Sequence, residues 1–485
     1  MRLSDLELIG VAVGAFVLFV WAGDWLMPAS AVTLWACLRL TQTHDRLYVL
    51  PLAVAFQWMQ TSLGVFYNGF TDRKLMAITG SDYRPMVLIA LGCVLALAVG
   101  VHLGLKVRKA PDPEEARPDF AFTFAPLIFA YVGSVLVEGT LLAIAPSYPS
   151  LRQIITTFDT VRLGVLFLIM RRLCSPTPRW GMLALVVGVE IVIGITGFFA
   201  GFREPIVLGV LAVLEVFDRR NKQHWAAVGV GVVGVAVLGL VWMGIRRDYR
   251  REYIEVDKFQ ASRSARVERV RDLSSTFLQG NASEVWDTAD TLVDRMWTVY
   301  YPALAIERVP KVLEYTHGAI LRDALIHIVT PRVFFPDKPD LMSDSDKVRK
   351  YSGAHVAGRE SNTSIAFGYS AEAYIDFGIP LMFVPVFGFG LFIGGMYTLF
   401  RSLIWHRELF VAFGTVAFWL SAYLFERSWA TMLGVSVGFM VYLGAPTVLL
   451  DRFLLVRFAR DQAAAAGNEI MFDTLRHAQG PGGDD

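Results

Sequence analysis

Several arginines stand where apolar sequence meets polar sequence, and arginines so placed can bind anions. Arg203 and Glu204 precede Pro205 in a short gap between two apolar runs. A guanidinium group matches two phosphate oxygens at once, so two or three such groups could hold a phosphate or a diphosphate. For Arg203, the alternative is a pair with Glu204 or a side chain that reaches the membrane interface. Further cations expected on the same side are Arg246, Arg247, Arg332, Lys338 and Arg359.

Acid and base groups follow these cations in the sequence. His355, Glu360 and Glu372 could each take a proton from an attacking hydroxyl group or orient that group. Glu372 and Asp376 are four residues apart, a spacing that places both carboxylates on one face of a helix. The alternative for both carboxylates is helix capping or packing in a polar network, and His355 is equally ambiguous.

The sequence does not indicate a metal or a nucleotide cofactor. Asp340, Asp344 and Asp346 are interleaved with serines as in a solvated loop, and no Cys or His stands near them. No glycine-rich phosphate loop is present between a strand and a helix. The three cysteines are unclustered, so we expect packing residues. No nucleic-acid partner is expected.

The elements that must position these groups are apolar helices. Of the 485 residues, 54% are hydrophobic and 18% are charged, and the mean hydropathy is +0.47. Such a composition excludes ordinary soluble domains of this length. Residues 228–240 and 381–399 are almost continuously apolar, whereas the strands of a membrane barrel alternate. We therefore expect an all-α polytopic membrane protein with about twelve transmembrane helices.

The expected spans divide the chain into an N-terminal bundle over residues 1–245, a large extracytoplasmic loop domain over 246–364, and C-terminal transmembrane helices over 365–460. A disordered cytoplasmic tail is expected over 461–485. The basic loops fall on one side, so the positive-inside rule places both termini in the cytoplasm. The expected span centres lie near Gly14, Leu34, Phe56, Leu95, Tyr131, Leu163, Gly188, Leu211, Val233, Phe389, Phe418 and Phe439.

Three short motifs in this layout resemble a known family. One is the Arg203 element between two helices, and another is a Pro-Arg-x-x-x-Pro-x-Lys-Pro segment at 331–339. The third is the run at 359–378, which ends Glu-Ala-Tyr-Ile-Asp-Phe-Gly. Together with the many spans and the large late outer loop, they look like the Wzy-type polymerases of O-antigen and exopolysaccharide repeat units. The resemblance covers most of the chain in layout.

The resemblance implies an inverting glycosyltransferase of the membrane-embedded C-type superfamily in the bacterial inner membrane. Its substrate would be a polyprenyl-diphosphate-linked oligosaccharide at the outer leaflet, and its partners would be membrane lipid and the flippase and chain-length regulator of the same pathway. By analogy, Arg203 and Arg359 would hold the diphosphate with support from Arg332 and Lys338. Glu372 or His355 would orient the acceptor.

Three other functions stay open at this point. The related lipopolysaccharide ligases share the layout, although the Pro-Arg to Lys-Pro segment favours the polymerase. A transporter or flippase would line a path through the bundle with charges, for which Glu138, Asp159, Arg162 and Glu190 are candidates. A structural scaffold would tolerate the individual replacement of its outer charges.

Overall fold

The computed structural model describes residues 5–43, 47–71, 75–108, 124–144, 160–175, 177–195, 203–253, 263–331, 334–335, 337–358 and 364–455. Every regular element within these ranges is helical, as the composition indicated. The helices are α1 (Asp5–Ala22), α2 (Leu26–Thr41), α3 (Val49–Thr71), α4 (Met76–Gly80), α5 (Tyr83–Gly104), α6 (Phe124–Ile144), α7 (Val161–Cys174), α8 (Trp180–Ile195), α9 (Arg203–Glu215), α10 (Lys222–Tyr253), α11 (Arg263–Leu278), α12 (Ala282–Met296), α13 (Tyr300–Arg308), α14 (Ala319–Val329), α15 (Asp344–Ser352), α16 (Gly368–Phe377), α17 (Phe383–Leu403), α18 (Arg407–Ala422) and α19 (Trp429–Gly438).

Five helices are long and apolar enough to cross a membrane. They are α3, α5, the first part of α10, α17, and α19 with its continuation through a π-helical segment to Leu455. Each span centre expected from the sequence lies inside a helix, but only these five helices within the described ranges reach the length and hydropathy of a span. The apolar surface of α10 is almost entirely exposed, which suits a helix surrounded by lipid. The chain is therefore a helical membrane protein.

Helices α5 and α17 run parallel and approach each other to backbone contact. Gly100 lies against the backbone of Phe387, and Gly390 lies against the backbone of Leu97. A Cβ atom at either glycine would overlap a carbonyl oxygen of the other helix. Small residues four apart allow membrane helices to approach to backbone contact, where packing replaces the hydrophobic effect as the source of stability.

The helices of the expected loop domain pack on one end of α3, α4 and α5. Trp297 donates its indole N–H to the carbonyl oxygen of Thr61 at 2.8 Å and is fully buried. Tyr67 of α3 donates to Asp290 of α12 at 2.8 Å. Residues 287–305 contain parts of two helices, α12 and α13. This arrangement fixes α12 against the C-terminal half of α3.

The opposite end of the bundle is fastened by charged groups. Asp451 accepts backbone N–H bonds from Trp405 and His406 and a ring N–H bond from His406, each at 2.8 Å. Arg171 of α7 and Arg407 of α18 both pair with Glu215 of α9. Each of these buried carboxylates has a cationic or hydrogen-bonding partner in, or directly before, another helix. The pairs therefore hold the helices of the bundle together.

Candidate functional site

A non-helical turn at residues 423–428 lies alongside the middle of α3. Gln57 of α3 donates its side-chain amide to the carbonyl oxygen of Ala422, and Phe425 donates its backbone N–H to Gln60 at 2.6 Å. At the helical rise of 1.5 Å per residue, Gln57 lies about 12 Å from the N-terminal end of α3. The turn therefore lies within the length of a spanning helix. Non-helical backbone at such a depth is tolerated only where protein covers it or where it lines a water-filled cavity.

Two arginines meet at one aromatic ring in this turn. Arg203, the first residue of α9, donates to the hydroxyl oxygen of Tyr423 at 2.9 Å and to Glu204 at 2.9 Å. Its guanidinium carbon lies 5.0 Å from the centroid of the Tyr423 ring, and that of Arg427 lies 5.2 Å from the same centroid. Arg427 also donates to the carbonyl oxygen of Leu420 near the end of α18. The side chains from α9 and the turn thus form one cationic surface.

Glu426 and Arg295 complete this group of charges. Glu426 is exposed to solvent on the turn, and Arg295 is exposed in the last turn of α12. Desolvation by the surrounding protein raises the pKa of the Glu426 carboxyl, although the charges of Arg295, Arg203 and Arg427 act in the opposite direction. We call this set the arginine cluster: Arg203, Glu204, Arg295, Tyr423, Glu426 and Arg427.

The arginine cluster is not closed by its own ion pairs. Among the described residues, Glu426 forms no hydrogen bond or ion pair, although the charges of three arginines act on its carboxyl group. Within the same part of the chain, the Nη1 group of Arg203 and the Nε and Nη2 groups of Arg427 donate to no protein acceptor. Burial lowers the pKa of Arg427 and the like charge of Arg203 lowers it further. An anion between these guanidinium groups would relieve their repulsion.

A second charged group lies on the other side of the same turn, and its charges are paired. Lys347 of α15 donates to Glu372 of α16 and lies 3.0 Å from Asp344. The other oxygen of Glu372 accepts the backbone N–H of Trp429 at 2.7 Å. Ser428 donates to Asp344 at 3.2 Å. We call these residues the lysine network. It fixes the end of the turn where α19 begins.

Helix α16 packs directly against the turn. Gly368 has a positive φ of 91°, and a Cβ atom there would lie 2.5 Å from the carbonyl oxygen of Phe425 and 3.3 Å from the Cα atom of Glu426. The next residue, Tyr369, is fully buried against the rings of Phe425 and Trp429. The backbone of α16 and that of the turn are therefore in direct contact, which positions Glu426.

The two carboxylates that the sequence placed on one helical face point to different partners. Both lie in α16 and both are buried. Glu372 belongs to the lysine network, whereas Asp376 accepts the side-chain hydroxyl of Thr316 and the backbone N–H groups of Ile320 and Leu321 at 3.0 and 2.9 Å. Asp376 thus satisfies the first N–H groups of α14, the capping role that the sequence left as the alternative.

Lys338 and His355 are not members of the arginine cluster. Lys338 donates to the carbonyl oxygens of His327 and Thr330, both at 2.8 Å, at the C-terminal end of α14. A cation at this position satisfies the last carbonyl groups of a helix and complements its dipole. His355 is exposed in the loop after α15.

The remaining predicted site residues fall into two groups. Arg246 is half-buried and Arg247 is exposed near the C-terminal end of α10. Arg332, Arg359 and Glu360 lie outside the described residues.

Two of the charged residues considered for a transport path, Arg162 and Glu190, form one buried pair. Glu190 of α8 accepts from Arg162 at 2.6 Å and from the hydroxyl group of Tyr131. These three residues join α6, α7 and α8. Glu138 lies in α6, and Asp159 lies outside the described residues. A buried pair that is satisfied by its neighbours serves helix packing.

The sequence reasoning missed six residues of the two groups: Arg295, Lys347, Tyr423, Glu426, Arg427 and Ser428. For the turn, a signal was present, because Glu426 and Arg427 interrupt an otherwise apolar stretch between α18 and α19. Ionisable residues in such a place are expensive and usually have a function. For Lys347 and Arg295, nothing local distinguishes them from solvated charges.

A family model for a domain of unknown function, DUF8712, matches residues 94–402 of the chain, which is more than half of it. The chain belongs to this family. No curated protein matches the chain, and no solved structure matches it. The DUF8712 range includes Arg203, Arg295 and both partners of the Lys347–Glu372 pair, whereas the 423–428 turn lies beyond it. The family's description assigns no activity, so the function has to be argued from the site.

The arrangement is suited to binding a compact anion beside a free carboxylate. Guanidinium groups with unused donors can bind phosphate oxygens in pairs. Among the described residues, no group of three or more His, Cys, Asp or Glu side chains is placed to hold a metal ion.

Proposed function

We propose that this member of the DUF8712 family is a membrane glycosyltransferase that polymerises lipid-linked glycans. It would transfer a polyprenyl-diphosphate-linked oligosaccharide onto another lipid-linked repeat unit at the outer leaflet of the bacterial inner membrane. The observation that supports this most is the pairing of Arg203 and Arg427 at Tyr423, within the length of spanning helix α3. The sequence resemblance to Wzy-type polymerases supports the same class of reaction.

The chemistry of the leaving group explains why arginines at this place would matter. When the bond between the sugar and the diphosphate breaks, negative charge builds up on the phosphate oxygens. Cations held in place by protein contacts stabilise that charge without reorganisation, and they stabilise it more strongly in a partly dry site. Arg203 is held by Glu204 and Tyr423, and Arg427 is held by Leu420, so both are positioned before a substrate binds.

The location of the cluster fits a substrate that is half lipid and half glycan. The diphosphate of such a substrate joins a polyprenyl chain in the bilayer to sugars outside it. The cluster lies beside the middle of α3, and the helix that contributes Arg295 packs on the end of α3 where the expected loop domain lies. A polar group that enters from the membrane would meet cations at the boundary between these two regions.

The proposal is tested by reconstituting the purified protein in lipid with a polyprenyl-diphosphate repeat unit, without nucleotide or metal, and analysing the products by mass spectrometry. A ladder at repeat-unit intervals is expected. A single transfer onto added lipid A would indicate a ligase and contradict the polymerase. Unchanged substrate across several glycans would contradict glycosyl transfer and favour transport or a scaffold.

Matched variants connect the activity to the cluster. Arg203→Gln and Arg427→Gln should each lower the rate of transfer by about 100-fold, the usual loss when one donor to a developing anion is removed. Arg322→Gln serves as the control, because Arg322 is 68% exposed and pairs with its neighbour Asp323, outside the arginine cluster. Elution volume and melting temperature establish folding for each variant. Full-length polymer from both cluster variants would show that the arginines do not hold the diphosphate.

A further inference from the structure

A transfer of this kind needs a group that accepts the proton of the attacking hydroxyl, and the structure separates the candidate carboxylates clearly. Glu372 is only 2% exposed, and its two oxygens are occupied by Lys347 and by the backbone N–H of Trp429. A carboxylate in that state cannot reach a sugar hydroxyl without breaking the lysine network. The residue favoured by the sequence is therefore poorly placed for the chemistry itself.

Glu204 is engaged through one of its two carboxylate oxygens. One of its oxygens accepts two N–H groups of Arg203, from Nε at 3.3 Å and from Nη2 at 2.9 Å. Its contacts hold the guanidinium in place. In the lysine network, Asp344 is engaged by Lys347 and Ser428. Asp344 therefore has both oxygens engaged. Glu204 holds the guanidinium group of Arg203 through Oε1 and has no hydrogen bond at Oε2 among the described residues.

Glu426 differs from all of these in being exposed, unpaired within the described residues, and next to the cations. It is the chain neighbour of Arg427 on the turn. The charges of Arg203 and Arg295 act on its carboxyl group without a hydrogen bond or ion pair. Because Glu426 is the chain neighbour of Arg427, a diphosphate bound by Arg203 and Arg427 would lie beside this residue.

We propose that Glu426 is the catalytic base of the glycosyl transfer. This inference rests on the proposed function and adds the group that activates the acceptor. The acceptor hydroxyl oxygen forms a bond with the anomeric carbon as its proton passes to the Glu426 carboxylate. The bond from the anomeric carbon to the diphosphate oxygen breaks, and its electron pair stays on the diphosphate. Atoms and charge balance, and Glu426 later returns the proton to water.

The electrostatic environment supports this role. The groups that face Glu426 are Arg203 from α9, Arg295 from α12, and Arg427 on its own turn. Although the side chain is accessible on the turn, the surrounding protein desolvates the Glu426 carboxyl and raises its pKa despite these charges. A base is most effective when its pKa is close to the operating pH. Occupation of the site by a diphosphate would offset the arginine charges and strengthen the carboxylate as a base.

The test compares Glu426→Gln with Glu426→Asp in the reconstituted transfer assay. Gln keeps the size of the side chain but cannot take a proton, so kcat should fall by about 100-fold to 10,000-fold. Asp keeps the proton-accepting group at a shorter reach and should retain an intermediate rate. Glu314→Gln is the matched control, since Glu314 is an exposed glutamate between α13 and α14 and is not part of the arginine cluster.

Two further readouts distinguish a base from a structural residue. Binding of a phosphonate-linked donor that cannot react should be the same for wild type and Glu426→Gln. The wild-type kcat/KM should fall as the pH drops through the pKa of the carboxyl, because the base must be deprotonated, and the residual activity of Glu426→Gln should lack this decline.

The outcomes separate this inference from the proposed function. If wild type forms the ladder and Glu426→Gln forms it equally fast, the base assignment is wrong and the proposed function stands. If Glu426→Gln loses donor binding as much as activity, Glu426 acts in binding and is not the base. If wild type forms no product, both proposals are wrong.

Discussion

The arginine cluster and the lysine network lie on two sides of one short turn and use the same kinds of side chains in opposite ways. In the lysine network, Lys347 contacts both Asp344 and Glu372, and Glu372 also binds the start of α19. In the arginine cluster, Glu426 is exposed and Arg203 and Arg427 repel each other across Tyr423. The donors and acceptors of the first group are engaged with each other, whereas the second group keeps unused guanidinium N–H donors among the described residues.

This difference indicates that the two groups have different roles, one in positioning the turn and one in binding a substrate. A buried carboxylate with both oxygens satisfied fixes backbone geometry, and here it fixes the end of the turn that carries Glu426 and Arg427. A site that must bind a substrate has to leave donors and acceptors unused, at some expense in stability. The lysine network would therefore position the arginine cluster, and changes in the two groups should affect different measurements.

The largest effect is expected from removing both arginines at Tyr423. Each single change to Gln should lower transfer about 100-fold, and the double variant should fall by less than the product of the two. The reason is that two groups that hold one diphosphate are coupled, so the second loss matters less once the first has occurred. The melting temperature of Arg427→Gln should equal or exceed that of wild type, because the change removes repulsion.

Rates from a double-mutant cycle, together with thermal denaturation in detergent, check this prediction. Strictly multiplicative losses would show that the two arginines act on separate groups. A large drop in the melting temperature of Arg427→Gln would show that the cluster is structural.

The next largest effect should appear in stability when Lys347 is replaced. Lys347→Met leaves Glu372 buried without its cation, a change that typically destabilises a protein by about 3–5 kcal/mol. The double variant with Glu372→Gln should recover much of this loss, because Gln is neutral and can still accept the N–H of Trp429. Thermal denaturation of the two single variants and the double variant measures both steps. Equal stability of Lys347→Met and the double variant would contradict a closed ion pair.

A smaller effect is expected from Gly368, which joins the two groups. Gly368→Ala must place a Cβ atom 2.5 Å from the carbonyl oxygen of Phe425 at a φ of 91°, so we expect destabilisation by about 1–3 kcal/mol. Transfer activity should fall as well, because the turn has to move. Gly388→Ala is the control, since a Cβ there meets nothing within 4 Å. Full activity of Gly368→Ala would show that the position of the turn is not critical.

Much of the fold could be predicted from hydropathy, since each expected span centre lies in a helix. Arg203 could be singled out because it starts α9 in a gap between apolar runs. Its partner Tyr423 is 220 residues away in the sequence, so no local pattern could show that Arg427 would share the same ring. The closed state of Glu372 was unpredictable for the same reason, because Lys347 reaches it from another helix.

The smallest effect is expected at Lys338, which the sequence grouped with the phosphate-binding cations. Its two bonds to the carbonyl oxygens of His327 and Thr330 place it at the end of α14. Lys338→Met should therefore cost about 0.5–1 kcal/mol of stability, as for other cations at a helix C-terminus, and leave the rate of transfer unchanged. Lys311→Met, a change at an exposed lysine, is the control for loss of charge. The opposite result, a slower transfer at unchanged melting temperature, would place Lys338 with Arg203 in the substrate site and extend the arginine cluster to α14.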